Sequence, residues 1–242
     1  MEPKTLNSET EPPPGAGGLP LSFERVAGAC AVAVAAIFLF QELVLRLSPG
    51  PSTVDEWLAE PLASVERLRM ALMFVLFFLS LVAYAGIAFR AGNDASKVAL
   101  LFATIACVIE LGYRAVEMQA VPQWADAYRQ AEDMVVRAAL RSRVETFQDV
   151  TASLYAVIRG AAILTSVCFG VALLPSTGLQ RTVALLFTAN AARLALNYPR
   201  PFVPVLAPIL DVVFILVLAP LYVCIGVWLW SPVESVTVVR KA

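Results

Sequence analysis

Glu110, Arg114 and Glu117 stand at i, i+4 and i+7 inside the largely apolar run VALLFATIACVIELGYRAVE, a spacing that puts all three on one face of a helix. Arg159, then Asn190, Arg193 and Asn197, and finally Asp211 interrupt later apolar runs in the same way. A charge near the centre of a bilayer costs about 2.5–3.5 kcal/mol on insertion scales, so each of these residues needs a partner, water or a purpose. The three acids Glu110, Glu117 and Asp211 balance the three arginines Arg114, Arg159 and Arg193, which invites pairing. Two chemistries are open to the set. It can form an ion network that fixes helix register, or it can line a polar cavity that holds a small ligand, an ion or a lipid headgroup. Glu117 and Arg193 could also snorkel to the interface, whereas Glu110 and Arg159 are the least easily explained that way.

The chemistry that the chain excludes is equally informative. It contains no histidine, which removes bis-histidine haem ligation, histidine-bearing zinc sites and histidine-dependent triads. Cys30, Cys107, Cys168 and Cys224 fall in four different apolar blocks without C-x-x-C spacing, so they are expected to be reduced packing thiols. No catalytic residue, metal ligand or cofactor is assigned. A formal net charge of −1 gives no basic surface for a nucleic-acid partner. Membrane lipids, a small ligand or a partner membrane protein are the partners this composition allows.

The elements that must position these residues are membrane spans. Hydrophobic residues make up 59% of the 242 positions and charged residues 15%, against roughly 45–50% and 25% in an average soluble domain. The apolar residues form blocks long enough to cross about 30 Å of hydrocarbon. The expected fold is an all-α bundle of about six transmembrane helices over 22–46, 70–89, 97–118, 150–174, 181–197 and 205–230. Residues 1–21 (MEPKTLNSETEPPPGAGGLPL), polar and rich in Pro and Gly, are expected to be a disordered tail with no basic signal region, and residues 232–242 a second tail.

Amphipathic connections are expected after spans one and three. Thr53-x-x-Glu56 has capping-box spacing, so a short interfacial helix should start there. Pro122 should stop span three, and the connection over 122–149 should be a helix running into span four. Two stripes of small residues, Ala27–Ala31–Ala35 and Ala162–Ser166–Gly170, should let neighbouring helices approach closely.

Because successive spans alternate in direction, a late position in one is level with an early position in the next. Glu42, Arg46, Arg67 and Arg69, the trio in span three, Arg159, Arg193 and Asp211 should therefore share one side of the bundle, leaving the other half almost purely apolar. The compact basic turns lie at the apolar end, which favours the inner cell membrane with both termini in the cytoplasm.

Three segments, SPGPSTVDEWLAEPLASVERLRMALMFVL, VALLFATIACVIELGYRAVE and FGVALLPSTGLQRTVALLFTANAARL, resemble the bacterial membrane family catalogued as domain of unknown function 4386. The likeness would cover about Phe23 to Trp230, with spans five and six fitting least well. It implies a six-span bundle and no established activity. The first functional expectation is thus a membrane protein that binds or transports a small ligand through a polar cavity open to one face. The alternative is a non-catalytic structural or accessory protein whose buried charges form a register-fixing network. An integral membrane enzyme with Glu110 or Asp211 as acid or base would lack a supporting nucleophile or metal set.

Overall fold

A computed structural model describes residues 21–47, 51, 53–59, 64–199, 202–203 and 205–232. The expected tail over 1–20 and the last ten residues lie outside the described set. Seven helices follow in order: α1 (Leu21–Leu47), α2 (Val54–Ala59), α3 (Ser64–Ala91), α4 (Asp94–Gln130), α5 (Met134–Leu173), α6 (Gly178–Leu196) and α7 (Leu206–Trp230). There is no strand among the described residues.

Six of these helices close a ring in the order α1, α3, α4, α5, α6, α7 and back to α1. Five of them, all but α6, are long and apolar enough to cross a membrane. The outside of the ring carries exposed Phe78, Leu101, Val108, Val171, Leu185 and Leu216, side chains that water would disfavour and lipid accepts. The protein is an all-α polytopic membrane bundle. α6, with 19 residues and Asn190 and Arg193 on its buried side, is the most polar stave. It still carries the chain across the bundle, because it leaves the α5 terminus at one end and delivers it to α7 at the other.

Contacts at the helix ends establish that alternation. Arg90, at the end of α3, donates to Glu24 on α1 and to the carbonyls of Leu229 and Ser231 at the end of α7, and lies over the Trp228 ring. Asn93 caps α4 by accepting from the Ser96 N–H, while its own amide donates to the Ala172 carbonyl of α5. Gly92, at φ +66°, makes the tight turn between α3 and α4. The first end of α1 and the last of α7 thus lie together with the α3–α4 and α5–α6 turns.

Small residues set the helix spacing. Ala27, Ala31 and Ala35 are buried, and a side chain at Gly86 would overlap the Ala27 methyl. Gly28 and Gly226 face each other across α1 and α7, so that a Cβ on either would sit 3.0 Å from the other's carbonyl oxygen. Gly170 on α5 meets Thr188 on α6.

The connection after span three differs from expectation. Pro122 lies inside α4 rather than ending it, and only residues 131–133 separate α4 from α5. Val121 and Ala125, on either side of the proline, are buried, and Ala125 packs with Val144 of α5 and Leu58 of α2. This packing offsets the hydrogen bond that proline removes. With 37 and 40 residues, α4 and α5 are about 55 and 60 Å long, nearly twice the hydrocarbon thickness. Their far ends form a hairpin beyond the ring, covered by α2 and bordered by Trp57, Trp124 and Tyr128. The expected capping box forms there, with Thr53 and Glu56 exchanging backbone-to-side-chain bonds of 3.2 Å in both directions.

Gly86→Leu is expected to lower stability by about 1–3 kcal/mol through overpacking against α1. Gly112→Ala, at an exposed site with no neighbouring atom within 4 Å, should match or exceed the parent. Thermal unfolding in detergent measures both, and equal losses would contradict the packing described.

Candidate functional site

The ring encloses a cavity of about 460 Å3. Its walls differ from one side to the other. α4, α5 and α6 supply Glu110, Arg159, Thr165, Ser166, Asn190, Arg193 and Asn197, whereas α1, α3 and α7 supply mainly Val34, Phe38, Leu76, Phe77, Phe214 and Leu218, together with Gln41 and Glu42 of α1. At 1.5 Å per residue, Asn190, Arg159, Arg193 and Glu110 lie roughly 18–24 Å from the Asn93 end of the bundle, a common depth in its far half. At the inner end Tyr84 and Tyr222 share a 2.7 Å hydrogen bond and Tyr222 donates to Ser80 at 3.2 Å, so these hydroxyls satisfy one another. Cys107 is a buried free thiol on the same wall.

The ionic residues separate into two sets. In the first, Arg114 donates to Glu110 at 3.3 Å through both Nε and Nη2, and to Glu117 at 2.5 Å through Nη1. Tyr113 donates to Glu110 at 2.9 Å, shares a hydrogen bond with Tyr155, and lies under the Arg114 guanidinium. Arg114 also donates to Tyr155 on α5 at 3.1 Å, which ties α4 to its neighbour. Glu66 and Arg69 form a further pair on α3, and the Gln41 amide donates to the Arg69 carbonyl at 2.8 Å, joining α1 to α3.

The second set is different. Arg193 is only 8% exposed, and its Nε and Nη2 both donate to Asn190 Oδ1, at 3.2 and 3.0 Å. Asn190 is aligned in turn by donating to Ser166 Oγ at 2.9 Å. Among the described residues Arg193 Nη1 has no acceptor, and the Phe214 ring centroid stands 4.6 Å from the guanidinium carbon. Arg159 stacks on Tyr198 at 5.3 Å, close enough to Arg193 for the two charges to interact. Among the described residues, no carboxylate lies within ion-pair distance of either guanidinium. Taking a guanidinium out of water costs several kcal/mol, and among the described residues no ion pair offsets it.

Of the residues singled out from the sequence, Glu110, Arg159, Asn190, Arg193 and Asn197 line the cavity together. Arg114 and Glu117 lie beside it, and Glu117 lines a second hollow of about 290 Å3 with Arg69, Gln148 and Thr151. Tyr155 borders both spaces and so forms part of the partition between them. Asp211 is exposed on α7 and does not line the cavity, and of the expected pairs the described residues show those of Arg114 with Glu110 and Glu117. The position against Arg193 that a counter-ion would take is held by Phe214, one turn further along α7. The side chain of Arg46 lies outside the described set.

Sequence reasoning passed over Gln41, Glu66, Tyr113 and Tyr155. Tyr113 is three residues from Glu110 and Tyr155 four from Arg159, so the helical spacing that grouped the charges also pointed to these hydroxyls. No family model, no curated protein and no solved structure matches this chain.

Replacing Arg114 with Met leaves Glu110 and Glu117 without their counter-charge and is expected to cost about 3–5 kcal/mol, as for other broken buried pairs. Adding Glu110→Gln and Glu117→Gln should recover most of that loss in detergent unfolding experiments. No recovery would show that the three residues do not act as one network.

Proposed function

We propose that the protein is a membrane binding protein for a small anion, which it holds in the ring cavity between Arg159 and Arg193. The observation that carries this reading is the pair of guanidiniums lining one cavity with no carboxylate of the described residues within ion-pair distance of either, while Glu42 and Glu110 stand elsewhere on its wall. A ligand oxyanion would accept from Arg193 Nη1 and from the unused donors of Arg159, forming the short charge-assisted bonds that arginine favours with carboxylate or phosphate. Asn190 orients Arg193 for this, and Ser166 orients Asn190. The binding energy would offset the desolvation of both arginines, which the apo protein bears alone.

The Glu110–Arg114–Glu117 cluster has the other role weighed from sequence, that of a register-fixing network between α4 and α5. Arg114 bonds both carboxylates and ties them to Tyr155, which makes the cluster part of the wall rather than of the anion site. Transport is favoured by one feature, the position of Tyr155 between the ring cavity and the hollow beside the α4–α5 hairpin. With the termini in the cytoplasm, as the basic turns favour, that hairpin and the polar half of the cavity would face the opposite side of the cell membrane. The likeness to the domain of unknown function 4386 family agrees with a six-helix membrane bundle and brings no activity of its own.

Equilibrium binding of radiolabelled carboxylates and of inorganic phosphate to the protein in lipid nanodiscs tests the proposal. At least one anion should bind above empty nanodiscs, and Arg159→Gln or Arg193→Gln should weaken it tenfold or more while size-exclusion profiles stay unchanged. Binding that survives the double substitution would overturn the assignment. Flux of the bound anion into proteoliposomes, quickened by Tyr155→Ala, would identify transport, and binding without flux would limit the protein to capture.

A further inference from the structure

The anion-binding reading leaves open what the rest of the ligand is, and the cavity walls answer that. The face built by α1, α3 and α7 presents Val34, Phe38, Leu76, Phe77, Phe214 and Leu218, with Phe214 against Arg193 and the polar Gln41 and Glu42 near the end of α1. Polar groups at the inner end offer little to a ligand, because Tyr84, Tyr222 and Ser80 are hydrogen-bonded to one another. The volume of about 460 Å3 corresponds to roughly 15 water molecules at about 30 Å3 each, several times the size of an inorganic oxyanion. An acetate or phosphate at the arginines would leave most of the apolar wall against water, an arrangement that the hydrophobic effect disfavours.

From this asymmetry we infer that the ligand is a single-chain anionic amphiphile, an organic acid whose carboxylate or phosphate head meets Arg159 and Arg193 and whose apolar body lies along the α1–α3–α7 wall. The inference rests on the anion-binding reading and adds the chemical class of the ligand to it. Two sources supply such a molecule: a free medium-chain organic acid, or a single-chain phospholipid drawn from the bilayer. Both present the same two features to the site. An amphiphile also explains why one cavity combines two arginines with a largely apolar wall.

The test uses the intact protein in nanodiscs and needs no variant for its main arm. Binding of straight-chain carboxylates from butanoate to octanoate is measured against labelled octanoate, with empty nanodiscs subtracted for partition into lipid. Each added CH2 that enters the apolar wall should tighten binding by up to about fourfold, the ratio equivalent to about 0.8 kcal/mol per buried CH2. Octanol, which has the chain without the charge, should compete at least tenfold less well than octanoate. Competition by lysophosphatidate as strong as by octanoate would identify the lipid source, and failure of lysophosphatidate beside strong octanoate binding would identify the free acid; either result supports the shared chemistry. If short and long acids, acetate included, bind with the same affinity, the amphiphile inference is overturned while anion binding stands. If octanol competes as well as octanoate, or no acid binds at all, both are overturned.

Discussion

A charge buried in a membrane protein must be answered from within the protein, and that constraint organises this molecule. Lipid offers no hydrogen bonds and no counter-ions, so every ionic side chain in the spans is turned toward the ring or toward its ends. Arg114 answers two carboxylates at once and recruits two tyrosine hydroxyls to do so. Arg90 answers the carbonyls at the end of α7 as well as Glu24. Arg159 and Arg193 are the exception, since no carboxylate among the described residues lies within ion-pair distance of either. A protein that bears this cost in its resting form has a reason to do so, and a ligand anion is the simplest one.

The fold makes the exception possible by enclosing space. A ring of six helices leaves a central volume that a closely packed pair of three-helix layers would fill. Close approach of α1 to α7 at Gly28 and Gly226, and of α1 to α3 at Ala27 and Gly86, brings the first and last helices together and closes the ring. Elsewhere the staves are held apart by larger groups. Phe38, Phe77 and Phe214 stand on one side of the space, and two arginines propped by Asn190 and Tyr198 on the other. The α4–α5 hairpin extends the wall beyond the membrane and carries α2 against it, so the polar end of the cavity adjoins a small structured module instead of open solvent.

Much of this was legible in the sequence, and the reasons are physical. Span periodicity and length follow from hydrocarbon thickness, and the alternation of span directions alone places Glu110, Arg159 and Arg193 at one depth. The alanine stripe of α1 and the capping box at Thr53 were equally visible, because each depends on residues three or four apart. Pro122 misled because its effect depends on what its neighbours bury, and Val121 and Ala125 bury enough to carry the helix through it. Pairing was the harder question. Which arginine meets which acid depends on helix rotation, and the summed charge says nothing about that. Asp211 completes the arithmetic but not the geometry, since Phe214 occupies the place at Arg193.

The central claim is that Arg159 and Arg193 line a shared space in which no described carboxylate pairs with either. A density map of the protein in lipid nanodiscs, resolved well enough to place side chains, tests this most directly. The account predicts non-protein density inside the ring, bridging the two guanidiniums and extending along Phe77 and Leu218. A map in which Glu110, Asp211 or another carboxylate of the chain contacts both arginines across a closed core would contradict it.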